Sequence, residues 1–474
     1  MGTLYQRKRI IPVHTLRRIS APNIDDVCLE ILRTYKVNLA EVVICLDKSG
    51  IARYFINEPS LSTEAENVYT LLMEYLYTST MKIENEEHLK KVIHELAAEL
   101  GVDKVLTREF EALWYYIRRD SFGYGPLEIP MLDPMIEDIE LSDWHRPVTV
   151  VHRDFLAFEA LTTNIMFYSE EEVRAIIERL ALRSGKAISL ARPEVHAILP
   201  EGHRLSATLG EPISSSPTFD IRKLPEIPID MGTMIREGVL SSRLAALLWL
   251  VNDAKLFYAV VGGSGSGKTS LLNAALQLTN PNWKIIVVQD VPEIRFPSRA
   301  RFIQFYGESS EDLFIRCITA LRYRPDMLVV GEVRGKEILA LVRAVASGAG
   351  SATTFHASTP EEFEMVLRNL LPRDLYVMLS LNTALLIMVT RQRYGKQVKR
   401  VVTSVYERVA DGWTLIYDIK GVDRIDSSNI LRRIATRLGL DNILDELELR
   451  TRILDETPPG FENVERMLRK FYGV

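Results

Sequence analysis

Cysteine is scarce in this sequence. Cys28, Cys45 and Cys317 are the only three, and no two show C-x-x-C spacing. That pattern argues against a cysteine zinc site and a disulfide framework, and it suits a reducing compartment. Long apolar runs are missing as well: none approaches the ~20 residues that span a bilayer. The basic start holds Arg7, Lys8 and Arg9 but lacks the apolar core of a signal peptide, and Gln6 stands where a myristoylation motif needs Ser or Thr. Any work at a membrane is therefore expected to be that of a peripheral partner. Excess positive charge is absent too. With 58 Lys and Arg against 63 Asp and Glu the net charge is −5, so a nucleic-acid contact would have to come from a local patch. No internal repeat or low-complexity tract appears. The 474 residues, 47% hydrophobic and 26% charged, have the composition of a folded chain of about two to four domains.

Against those absences one stretch stands out: Gly262-Gly263-Ser264-Gly265-Ser266-Gly267-Lys268-Thr269. It fits the phosphate-binding pattern G-x-x-x-x-G-K-[ST] without a mismatch. The apolar run Leu256-Phe257-Tyr258-Ala259-Val260-Val261 before it reads as a buried parallel strand, and Ser270-Leu271-Leu272-Asn273-Ala274-Ala275-Leu276 after it reads as a helix. Glycines let backbone N–H groups turn around a polyphosphate, and the helix N-terminus adds the positive end of its dipole. Residues 262 to 270 are thus expected to hold ATP. Lys268 would reach its β- and γ-phosphates, and the Thr269 hydroxyl would ligate Mg²⁺.

The surrounding sequence divides into three parts: 1–108, a region of short strands and amphipathic helices suited to docking; 109–230, a small α+β domain; and 231–474, an α/β domain with a parallel sheet and a helical tail. Pro212, Pro217, Pro225 and Pro228 mark the linker between the last two. In the third part, strand-like 285–288, 327–330 and 351–355 alternate with helical stretches, as a parallel sheet requires. They end in Asp290 and Glu293, in Glu332, and in His356. Ligands in such sheets sit at the carboxyl ends of the strands, so these groups are expected to converge beside the phosphate loop.

Phosphoryl transfer to water needs a metal, a positioned nucleophile and positive charge for the transition state. Glu293 reads as the group that handles the attacking water, and Glu332 as a Mg²⁺ ligand supported by Asp290. The spacing alone does not separate Glu293 from Glu332. His356 is placed to sense the γ-phosphate. Arg204 and Arg222, in the preceding domain, are suited to supply positive charge to it in cis or across a subunit boundary, although as solvated surface charges they would be equally ordinary.

Several stretches together resemble the secretion ATPase superfamily, over roughly residues 109–390. Val288-Gln289-Asp290-Val291-Pro292-Glu293 is similar to its Asp box. The run from Leu321 through Arg322-Tyr323-Arg324-Pro325-Asp326 to Gly331-Glu332-Val333-Arg334-Gly335 resembles its atypical Walker B. The stretch 351–357 resembles its His box. Upstream, Phe122-Gly123-Tyr124-Gly125-Pro126-Leu127 and Leu199-Pro200-Glu201-Gly202-His203-Arg204 resemble signatures of its N-terminal domain. Two departures are Gln289 in place of glutamate and the missing first histidine of the His box.

The resemblance implies a cytoplasmic hexameric ring of RecA-like domains at the inner face of the membrane. ATP would sit between the two domains of each subunit, with Arg204 and Arg222 as arginine fingers. It implies a polytopic membrane platform protein as partner, with pilin-like or archaellin subunits moved indirectly. The Gly331-Glu332-Val333-Arg334-Gly335 stretch, without an aspartate after the arginine, resembles the archaeal and type IV secretion branch, and the lack of a four-cysteine insert disfavours the bacterial type II branch, so the resemblance is read as one to an archaeal pilus or archaellum assembly ATPase. Two alternatives share the ATP site. One is a DNA-transfer ATPase, supported only by the basic segment with Arg391, Arg393, Lys396, Lys399 and Arg400. The other is a metabolic P-loop kinase, disfavoured by the Walker B signature and the extra N-terminal domain.

Overall fold

The computed structural model describes residues 16–79, 83–225, 227–395, 397–409 and 412–474. The basic start at residues 1–9, Lys396 and Asp411 fall outside them. Two compact units make up the chain, Met1–Lys223 and Leu224–Val474.

The first unit is built on a nine-stranded sheet. β1 (Cys28–Val37), β2 (Ala40–Asp47) and β3 (Ala52–Asn57) form an antiparallel meander. Helices α1 (Thr63–Thr78), α2 (Glu86–Glu99) and α3 (Phe110–Ser121) follow. Then come β4 (Ile136–Leu141), β5 (Thr149–His152), β6 (Leu161–Thr163), helix α4 (Glu170–Arg183), β7 (Glu194–Ile198), β8 (Arg204–Thr208) and β9 (Thr218–Arg222). The order across the sheet is β1-β2-β3-β6-β5-β4-β9-β8-β7. Because β3 pairs with β6, residues on both sides of the expected boundary at 108 share this sheet. β9 lies between Pro217 and Pro225 and pairs with β4 and β8, so the connection to the second unit is shorter than the prolines imply.

Strand alternation decides which face is covered. In β9, Phe219 and Ile221 are buried while Asp220 and Arg222 are exposed, the pattern of a half-buried antiparallel strand. The buried face meets helices whose apolar residues recur at helical spacing. Ala65, Val68, Tyr69, Leu72 and Met73 line one side of α1, which Ser62 caps by accepting the Ala65 N–H.

One buried ion pair ties this core together. The Arg119 side chain is 1% exposed and that of Glu58 is 0% exposed. Arg119 donates to both Glu58 oxygens at 2.8 Å, and Glu58 also accepts from Tyr115 Oη and the Ile19 N–H, each at 2.7 Å. Removing one partner strands a buried charge. Arg119→Ala is expected to cost about 3–5 kcal/mol in urea unfolding of the intact chain. A loss below about 1 kcal/mol would show that the pair is not buried in solution.

The cysteine reading needs correction. Cys28 and Cys45 form a disulfide with their Cα atoms 5.9 Å apart. The hairpin at Asn38 folds β2 back on β1, so two residues distant in sequence meet on paired strands. Their spacing therefore neither excludes a disulfide nor indicates a compartment. Cys317 is buried and unpaired in disulfide terms.

In the second unit, helix α5 (Ser242–Asp253) leads to β10 (Phe257–Val261), α6 (Lys268–Gln277), β11 (Ile285–Gln289) and β12 (Phe302–Tyr306). Next come α7 (Ser310–Arg322), β13 (Met327–Val330), α8 (Ile338–Ala346) and β14 (Gly350–Phe355). After two further helices, Pro360–Leu370 and Arg373–Asn382, follow β15 (Thr383–Tyr394), β16 (Gln397–Val409) and β17 (Gly412–Asp418). The sheet order is β12-β11-β13-β14-β10-β15-β16-β17. From β12 to β15 the pairing is parallel, and the last two strands add an antiparallel meander. Both faces of the parallel part are covered, so β10, β11, β13 and β14 are buried at every residue. The amphipathic tail resolves into three helices, Asn429–Leu438, Ile443–Glu456 and Phe461–Tyr472. Among the described residues no helix is long and apolar enough to cross a membrane.

Candidate nucleotide-binding site

The phosphate loop connects β10 to α6, as its sequence context predicts. Gly262 is wedged between neighbouring strands: a Cβ there would lie 2.2 Å from the Val389 carbonyl oxygen, so only glycine fits. Gly267 caps α6 at φ 94°, a left-handed conformation that turns the loop into the helix. Thr269 and Ser270 occupy the first turn of α6. The Lys268 ammonium folds back to donate to the Gly263 carbonyl at 2.8 Å. Burial lowers its pKa, against the opposing carboxylates of Glu332 and Glu293. The Ser266 hydroxyl is buried without a hydrogen-bond partner among the described residues. A glycine cradle at a helix N-terminus, an orphaned hydroxyl and a lysine held by one carbonyl fit a polyphosphate.

The parallel register brings the other strand ends to the same edge. Glu332 follows β13 and lies between two basic side chains: His356 Nε2 is 2.6 Å from its Oε1, and the Arg334 guanidinium pairs with its Oε2. Arg334 also reaches Asp290, which follows β11, at 3.3 Å. Burial works against the Arg334 charge, but the Glu332 and Asp290 carboxylates outweigh it and raise its pKa. Asp290, Glu332 and His356 thus form one network through Arg334, a residue the sequence reading noted only within the Walker B stretch.

Side chains with no catalytic part in the sequence reading shape this edge. Gln289, the departure from the Asp box, is buried and clamps the loop after β11. Its amide donates to the Ile294 carbonyl at 3.1 Å and its oxygen accepts the Ile294 N–H at 3.0 Å. That clamp holds the turn carrying Asp290 and Glu293. Thr353 and Thr354 donate to the carbonyls of Val330 and Gly331, each at 2.7 Å, and so fix the end of β13. Glu337, fully buried, accepts the N–H groups of Arg334 and Gly335 and pins the loop after Glu332.

Arg204 and Arg222 belong to the first unit. They stand directly opposite each other on β8 and β9. Arg222 donates to Asp138 at 2.9 Å and is exposed, whereas Arg204 is partly buried. The two upstream signatures also meet in this unit: the Tyr124 hydroxyl donates to Glu201, and Arg183 lies 4.1 Å from the Tyr124 ring centroid. Gly123 is required there, since a Cβ would fall 2.3 Å from the Glu128 carboxylate. These signatures brace the turn from which β8 and Arg204 emerge.

Fold and site together define a RecA-like P-loop protein: the P-loop strand β10 sits between β14 and β15, with β13 one strand further out. A family model described as type II/IV secretion system protein matches residues 150–436, and the chain belongs to that family. An uncharacterised protein of Methanocaldococcus jannaschii is 31% identical over 424 residues, covering 84% of this chain and 75% of that protein. A putative conjugal transfer protein of Mycobacterium tuberculosis is 30% identical over 283 residues, covering 55% of this chain and 79% of its own length. Among solved structures, the X-ray structure of the ATPase DotB of Legionella pneumophila covers 74% of this chain and 92% of its own, at 16% identity and a TM-score of 0.48.

Proposed function

We propose that this chain is a motor ATPase that assembles a type IV pilus-like filament, an archaeal pilus or archaellum, or drives related secretion. The observation that carries the hydrolytic part is the Asp290–Arg334–Glu332–His356 network beside the phosphate loop. In this reading Lys268 swings from Gly263 to the β- and γ-phosphates. Water attacks the γ-phosphorus, the bond to the β–γ bridging oxygen breaks, and Glu293 takes the water's proton, leaving ADP and phosphate. Glu332 is paired with Arg334 and His356, and Glu293 is taken as the base. Thr269, Asp290 and Glu332 would hold Mg²⁺, which when bound neutralises charge on the phosphates. His356 and Arg334 would register the γ-phosphate through Glu332. Arg204 and Arg222 act as arginine fingers, Arg204 first because Arg222 is already engaged by Asp138. The chain works as a homo-hexamer on the cytoplasmic side, docked on a polytopic membrane platform protein.

The filament reading follows from the resemblance of the Gly331-Glu332-Val333-Arg334-Gly335 stretch to the archaeal and type IV secretion branch, together with the lack of a four-cysteine insert. A DNA-transfer role is the second reading, favoured by the conjugal transfer relative. Affinity capture of the tagged chain from its host's membranes tests the choice. Recovery of a multi-pass protein with pilin-like or archaellin-like subunits is the expected result. Recovery of DNA-processing proteins without a platform protein would overturn it in favour of the second reading.

A further inference from the structure

The turn between β13 and α8 carries Arg334, and a carboxylate that the hydrolytic mechanism leaves unused sets its shape. The Glu337 side chain is 0% exposed. One of its oxygens accepts the N–H groups of Arg334 and Gly335, the latter at 2.7 Å, and the other accepts the Ser310 hydroxyl. That hydroxyl in turn accepts the Lys336 N–H at 2.9 Å, and the Lys336 ammonium pairs with Glu311 at 2.6 Å. The turn is therefore fastened to the first two residues of α7. Gly335 belongs to the fit, since a Cβ there would collide with the Ser310 hydroxyl.

Burying a carboxylate is costly unless its oxygens are matched. Among the described residues no cationic side chain pairs with Glu337; its partners are two backbone N–H groups and one hydroxyl. Its hydrogen bonds are thus committed to the path of the chain at residues 334 and 335. That path aims one side chain. From this backbone the Arg334 guanidinium pairs with Glu332 and reaches Asp290 at 3.3 Å. β11 and β13 are neighbours in the sheet, so Asp290 and Glu332 are like charges at adjacent strand ends. Arg334 is the cation that bridges them. Without it the two carboxylates repel, and the edge that faces the phosphate loop loses its geometry.

We propose that Glu337 is a positioning residue for ATP hydrolysis: through the backbone of residues 334 and 335 it holds the Arg334 guanidinium between Asp290 and Glu332, and Ser310 holds Glu337. The proposal rests on the reading of this site as an ATPase. It adds to that reading a buried residue that acts through Arg334 rather than on the nucleotide.

Steady-state turnover of the full chain, with ATP affinity measured separately by equilibrium titration, tests it. Glu337→Ala is expected to lower kcat about 10²-fold, the effect of misplacing a group near the chemistry, while ATP affinity changes less than about threefold. Glu337→Gln should keep kcat within about fivefold of the wild type, because its amide oxygen still accepts both N–H groups and its NH₂ can donate to Ser310. Ser310→Ala should lower kcat about three- to tenfold, for one lost hydrogen bond, again at unchanged affinity. A double-mutant cycle then isolates the route. If Glu337 acts through Arg334, the Arg334→Ala/Glu337→Ala double variant turns over at the rate of Arg334→Ala alone. Losses that multiply would overturn the proposal. So would a glutamine variant as slow as the alanine one, or variants whose ATP affinity falls as much as their turnover. Melting curves without nucleotide control for folding, and if Glu337→Ala does not fold, the cycle of Ser310→Ala with Arg334→Ala takes its place. A wild type that hydrolyses no ATP would sink the ATPase reading and this proposal with it, an outcome distinct from failure of the variants alone.

Discussion

Glu293→Gln is expected to lower ATP turnover about 10²–10⁴-fold, the usual contribution of a positioned base, while changing ATP affinity less than about threefold. Glutamine keeps the size and hydrogen-bonding reach of the side chain but cannot take a proton from water. Glu332→Gln has a different signature. Its carboxylate lies between Arg334 and His356 and is assigned to the metal side, so its loss should raise the Mg²⁺ concentration needed for half-maximal turnover. Titrating turnover against Mg²⁺ for both variants separates the two roles. If Glu332→Gln abolishes turnover at saturating Mg²⁺ while Glu293→Gln retains it, the assignments are reversed.

Lys268→Ala should weaken ATP binding by about 1.5–3 kcal/mol, roughly 10- to 150-fold, as expected for a lost hydrogen bond between charged groups. Turnover should fall below detection, because the same ammonium faces charge that grows on the γ-phosphate in the transition state. Folding should be preserved, since among the described residues the one hydrogen bond this side chain makes is to the Gly263 carbonyl. A calorimetric titration with ATP and a melting curve without it check both halves. A variant that hydrolysed ATP at the wild-type rate would remove the loop from the mechanism.

The parts of this site that the sequence made legible are those whose chemistry is local. The phosphate loop lies within eight consecutive residues, and its flanking strand and helix announce themselves by apolar content. The ends of β11 and β13 were readable for a similar reason: they are short, wholly buried and largely apolar runs, Ile285–Gln289 and Met327–Val330, with an acidic residue within two positions of each end. Long-range pairing was not readable. Arg391 and Arg400 meet Gly265 across 126 and 135 residues, and only the hairpin geometry brings them there. The same holds for Cys28 and Cys45, and for β3 and β6, whose pairing joins the first hundred residues to the sheet carrying Arg204. β12 went unread because its residues are all partly exposed, so neither a buried run nor a clean alternation marks it. Gln289 was legible only as a departure from a pattern. Its role as a clamp on the Asp290–Glu293 turn depends on the Ile294 backbone folding back toward it.

The most direct measurement is phosphate release by the purified full chain supplied with ATP and Mg²⁺, followed together with ADP formation and repeated with EDTA. The account predicts equimolar ADP and free phosphate, lost on chelation and lost in Lys268→Ala. ADP formed without free phosphate would mean transfer to an acceptor other than water, and no ADP formed at all would mean that the loop is not a hydrolytic site. Either result would contradict a motor driven by ATP hydrolysis.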